Sequence, residues 1–234
     1  MLFFLSLVLA LAFSCVFQPW ITRRPSVFYG LTVAFILLLF ASYYTGIYGM
    51  FPAWFTDYIV MLYARGSLST AVFAIVMYLG VVPLRFGPAK RLMRIRGEIS
   101  IIGSILALGH NIYYGIYYFA HLFTAPGELA VPYRIATILS LVLIAIMLPL
   151  MVTSFRSVRK RMAASGWKRL QRLAYAFYAL LYAHVMVVLC ANIRGASTLI
   201  SIAAYSLVFL PYFVLRIRKY ALACKARTRR IQPS

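Results

Sequence analysis

Seven runs of about twenty apolar residues, parted by short blocks of arginine and lysine, restrict this chain to folding in a lipid bilayer. The runs lie near 1–19, 27–49, 66–84, 98–123, 135–154, 173–193 and 196–215. As helices rising 1.5 Å per residue, each crosses roughly the 30 Å hydrocarbon layer. Hydrophobic residues make up 64% of the 234 residues and charged residues only 12%, a balance no water-soluble domain of this size sustains. The expected fold class is all-α integral membrane, a seven-helix transmembrane bundle.

The formal net charge of +21 would suggest a nucleic-acid partner in a soluble protein. Here the charge sits between apolar runs, where it sets topology, so no nucleic acid is expected. Of the 24 basic residues, only Arg65, Arg134 and Arg194 fall on one side of the alternating arrangement, and the other 21 share the opposite side. By the positive-inside rule the N-terminus is outside and the C-terminus cytosolic. This describes a multi-pass protein of a cell membrane, a bacterial inner or plasma membrane, with lipid as its first partner.

Trp20, Trp54 and Trp167 fall at run edges, where amphipathic rings sit at headgroup level. The three acids, Asp57, Glu98 and Glu128, are in loops or at helix ends. Without a carboxylate relay inside the spans, a proton-coupled pump or small transporter is disfavoured. Cys15, Cys190 and Cys224 share no C-x-x-C spacing and read as packing residues. The first run lacks a basic leader and a small-residue cleavage site, so it reads as a retained helix. The expected division is an N-terminal helix with its basic turn (1–26), a six-helix core (27–215) and a basic cytosolic tail (216–234).

All three histidines, His110, His121 and His184, lie on two of the runs. Counted from Glu98 and Leu173, His110 and His184 are 12 and 11 residues in, each about 17 Å deep. Two imidazoles at one depth on different helices can take opposite faces of one metal. Zinc or copper would recruit further ligands at that depth, whereas two histidines suffice for a haem b iron whose other four ligands come from the porphyrin. Gly103, Gly109 and Gly115 around His110 would let a flat ring approach, although plain helix packing is the commoner use of such glycines. Tyr114 and Tyr117, at i+4 and i+7 from His110, share its face and are candidates to line the cofactor. His121 lies near the outer surface and reads as interfacial.

The segment VVPLRFGPAKRLMRIRGEISIIGSILALGH, with the later LP-x-x-V-T-S run ending at Ser154 and W-x-x-L-x-R-L-x-Y from Trp167 to Tyr175, resembles the ferric reductase-like transmembrane domain. Within that family it is most similar to the haem-binding membrane subunits of bacterial methionine sulfoxide reductase systems. The resemblance implies a b-type cytochrome passing electrons from a cytosolic flavin reductase, FMN or quinone to an outer acceptor, either ferric ion or a partner oxidoreductase. It places the haem ligands at His110 and His184, and Arg96 and Arg172 where propionates, a flavin phosphate or an acidic partner could be met. The sequence departs at Gln171, where the family usually has a second histidine of this helix. Glutamine is not an ordinary haem ligand, so one haem is expected rather than two. No nucleotide-binding glycine motif is present, so hydride chemistry would belong to partner proteins. The rival reading is a haem-free membrane anchor of the same fold.

Overall fold

The computed structural model describes residues 2–83, 85–193 and 195–231, with side chains through Lys225. Arg194 and Leu84, used in the charge and span readings, lie outside the described residues. All regular structure among the described residues is helical. The long elements are α1 (Leu2–Arg23), α2 (Pro25–Tyr44), α6 (Arg96–Thr124), α7 (Val131–Val152), α10 (Leu173–Ala191) and α11 (Ala196–Ile231). Each of these six, α10 together with the short helix preceding it, is long and apolar enough to span a bilayer. Between them lie α3 (Phe55–Ala64, π-helical at its start), α4 (Ser67–Tyr78), α5 (Gly87–Arg94), α8 (Arg156–Arg159) and α9 (Ala164–Gln171).

The run at 66–84 does not form one straight span. α3 and α4 together pass for a seventh crossing only as a broken pair, bent by 54°. The break is at Gly66, whose φ of +67° lies in the left-handed region, where a side chain costs about 1–2 kcal/mol. Inside a membrane the loose carbonyls of such a break need partners. Met61 and Tyr63 accept from the amides of Arg65 and Gly66, at 3.1 and 2.9 Å. Leu62 accepts from Ser67 Oγ at 2.9 Å, and Ser6 Oγ on α1 is 3.0 Å from that hydroxyl. The carbonyl of Ala64 remains, and it is taken from another helix, as described below.

Proline placement follows the helix accounting: Pro25, Pro88 and Pro132 stand in first turns, where a missing N–H costs nothing. Pro149 and Pro211 are carried inside α7 and α11. α11 continues without a break past residue 215, so the basic tail is helical to Ile231 rather than a separate segment. α1 packs along α4 and is part of the bundle. α6 and α10 each pack along α4 and α7 rather than along each other. Where α4 crosses α6, a Cβ on Gly103 would come within 2.8 Å of Val72, so this glycine sets how closely the helices approach.

The outward faces of α1 and α2 carry exposed Val8, Leu31, Leu37 and Leu38, the apolar exterior of a lipid-facing bundle. α5 is amphipathic instead, burying Leu92 while Lys90, Arg91 and Arg94 face out. It lies at the end of the bundle that also holds α8, α9 and the basic part of α11, called here the basic end.

Candidate functional site

His110 lies 14 residues into α6, on the side facing the break between α3 and α4. Its Nδ1 is 2.6 Å from the carbonyl oxygen of Ala64. A carbonyl can only accept, so Nδ1 carries the proton and the Nε2 lone pair is left free. Gly66 lies over the ring: a Cβ there would be 3.2, 3.2 and 3.3 Å from Cδ2, Nε2 and Cε1. Near-equal distances to three ring atoms put the glycine above the ring face, clear of the in-plane direction in which Nε2 binds.

His184 lies 11 residues into α10. Its Nδ1 is 3.1 Å from the carbonyl oxygen of Ala136 on α7, with Ser140 Oγ 3.5 Å from the same nitrogen. The same reasoning assigns the proton to Nδ1 and leaves Nε2 open. The two histidines are therefore about 21 and about 17 Å from their helix starts, a difference smaller than one helical turn. They stand on α6 and α10, which both pack along α7. Neither Nε2 has a hydrogen bond among the described residues. Two neutral imidazoles with fixed tautomers and free Nε2 atoms suit axial ligation of a haem iron. No cluster of three His, Cys, Asp or Glu side chains occurs among the described residues.

The other predicted residues divide between three places. Tyr114 remains with His110, ring centroids 5.4 Å apart and edge to face. Tyr117 does not: it is exposed and its ring lies tilted against that of His121, centroids 4.0 Å apart, one turn farther along. His121 also holds the Tyr117 carbonyl at 2.9 Å and faces Glu128 at 4.0 Å, an arrangement of the outer rim. The close approach imagined at Gly109 is filled by protein, since a Cβ there would meet Tyr63 Oη at 2.5 Å and Ile36 Cδ1 at 2.8 Å. That Tyr63 hydroxyl is buried without a hydrogen-bond partner among the described residues.

Arg96 and Arg172 are far from the histidines in sequence depth and line a cavity of about 660 Å³ at the basic end. Gln171 is on the same wall, its Nε2 donating to Thr153 Oγ1 at 3.2 Å. Glu98, placed at a helix end by sequence, is in fact 5% exposed and accepts from Arg156 Nε at 2.6 Å. Sequence reasoning missed this pair because its members are 58 residues apart. An acid in the first turn of a membrane helix facing an arginine-rich loop was the available signal. Trp167 donates Nε1–H to the Thr153 carbonyl at 3.1 Å and lies under Arg159, which fixes α9 against the end of α7.

A family model described as a ferric reductase like transmembrane component matches residues 65–182, half of the chain. The match begins at the break beside His110 and stops two residues short of His184. An uncharacterized protein of Treponema pallidum (strain Nichols) is 43% identical over 156 residues, covering 65% of this chain and 43% of that protein. The chain thus spans less than half the length of that relative. No solved structure matches it.

Proposed function

Because the chain belongs to the ferric reductase like transmembrane component family, we propose that this membrane electron-transfer component holds one haem b between His110 and His184. The observation that carries the reading is the shared tautomer: both imidazoles give Nδ1–H to a backbone carbonyl and keep Nε2 free at nearly one depth. Bound there, the haem supplies a one-electron couple in the middle of the membrane. The chain's part is to orient. Ala64 and Ala136 hold the two rings against rotation, Gly66 covers one face of His110, and Tyr114 closes its edge. The apolar bundle around them excludes water and keeps the ligands neutral.

With the basic end cytosolic and the N-terminus outside, electrons enter from a flavin or quinone donor, or a cytosolic flavin reductase, near Arg96 and Arg172. They leave at the other face to ferric ion or to a partner oxidoreductase. The experiment is an absorption spectrum of the purified protein. A Soret band that is lost in both His110→Ala and His184→Ala is expected. No band in the wild type, or a band surviving both substitutions, overturns the assignment and leaves the haem-free anchor.

A further inference from the structure

The cavity at the basic end, whose Arg96 and Arg172 also stand where the proposed electron donor would approach, joins that charge to an apolar wall that the electron-transfer reading does not use. Its volume is about 660 Å³, and α4, α6, α7, α9 and α10 all contribute walls. Its inner surface is apolar, with Phe73, Val76, Met147, Leu150 and Phe177. Its other walls carry Arg94, Arg96, Arg156, Arg159, Lys168 and Arg172, against the single carboxylate of Glu98.

That carboxylate is already committed to Arg156. Arg159 is satisfied in part by the face of Trp167, 4.3 Å away. Arg96 is not offset by any acid among the described residues; its Nε donates to the Val76 carbonyl at 3.0 Å. Arg96 also begins α6, so the unpaired N–H groups of the first helical turn add positive potential on the same wall. Arg96 is partly buried and the other five cations are exposed; six positive charges around an apolar cavity with one carboxylate among them call for an anion. A quinone or another neutral ring would fill the apolar part and leave the charge unanswered. A free small anion would do the reverse.

We propose that this cavity binds a phosphate ester with an apolar body, and specifically an anionic membrane phospholipid whose phosphate is held by Arg96 and Arg172 and whose acyl chains lie against Phe73 and Phe177. The fork of each guanidinium matches two phosphate oxygens, which a lysine would not do. Opening beside the headgroup layer, the cavity can be filled laterally from the leaflet at the basic end. The site is separate from the histidine pair and exists whether or not a haem is bound.

The test is binding of dihexanoyl phosphatidylglycerol to the full chain in zwitterionic micelles, with dihexanoyl phosphatidylcholine and inorganic phosphate as comparisons. Saturable binding of the glycerol lipid is expected, at least tenfold tighter than the choline lipid and than phosphate alone. Arg96→Gln with Arg172→Gln should weaken it at least tenfold. Lys90→Gln with Arg91→Gln removes the same charge from exposed α5 outside the cavity and should change it less than twofold. If the Arg96 and Arg172 variant is poorly folded, Phe177→Trp in otherwise wild-type protein provides a second readout, an emission change on adding the glycerol lipid only. Equal binding of the two lipids, equal loss in both charge variants, or phosphate binding as tightly as the lipid would each overturn the proposal.

Discussion

The Nδ1 of His110 and the carbonyl oxygen of Ala64 are 2.6 Å apart, and the contact exists because the helix carrying Ala64 ends at that residue. A continuing helix would use that carbonyl for its own amide four residues on. Breaking the span at Gly66 frees the oxygen, and α6 supplies the donor. The bend between α3 and α4 and the tautomer of the histidine are one structural fact.

Gly66 therefore has two jobs, and they can be separated. Gly66→Ala adds the left-handed backbone penalty, about 1–2 kcal/mol, and pushes a methyl group onto the His110 ring. Gly46→Ala adds a similar penalty at φ +76° with nothing within 4 Å. Thermal unfolding in detergent should find Gly66→Ala the less stable, by about 1 kcal/mol beyond Gly46→Ala. Only Gly66→Ala should also shift the low-spin signal of the proposed haem in electron paramagnetic resonance.

Gln171→His should leave haem content unchanged. The cavity beside it contains no histidine, and one new imidazole would face arginine and serine side chains across it. Pyridine haemochrome analysis of wild type and variant checks this, and a rise from one haem to two would contradict it.

The Glu98–Arg156 pair buries its acid and leaves its arginine half exposed. Glu98→Ala should destabilise the protein by about 1–3 kcal/mol, less than a fully buried pair would cost, because the arginine can turn to water. Arg156→Ala strands the carboxylate in the interior and should cost more. Unfolding of the two single variants and the double variant measures the difference.

Tyr63→Phe should hold stability or raise it. The hydroxyl is buried without a hydrogen-bond partner, so deleting it removes a desolvation cost of about 1–3 kcal/mol. A clear loss of thermal stability would show that the oxygen has a role its protein neighbours do not reveal.

His121→Ala should leave the spectrum of the proposed haem unaltered. Its ring is engaged with Tyr117 and Glu128 at the rim. A changed Soret maximum in this variant would contradict that placement.

Much of this was legible in the chain because membranes write in simple terms. Run length and charge blocks located the six long helices, most to within a few residues, although α11 runs well past the expected end at 215; equal counts from two helix starts suggested the pairing of His110 with His184 on which the proposed function rests. The break at Gly66 was hidden because the run at 66–84 is uniformly apolar, and a lone glycine is weak punctuation. Ala64 and Ala136 act through backbone oxygens that every residue owns, so no letter marks them. Tyr117 was placed beside His110 by helical spacing, but the ring instead turned along the helix toward His121. Glu98 was placed at a helix end, as it is, but its burial was not legible, because only the loop returning with Arg156 makes that burial tolerable.

The broken crossing also bears on how the protein is made. α3 and α4 have 10 and 12 residues, about 15 and about 18 Å of helix, so neither half can be recognised alone as a membrane segment during synthesis. α1 packs along α4, and the hydroxyls of Ser6 and Ser67 meet where the halves join. α1 therefore braces the junction of two short helices, neither of which is long enough to span a bilayer by itself.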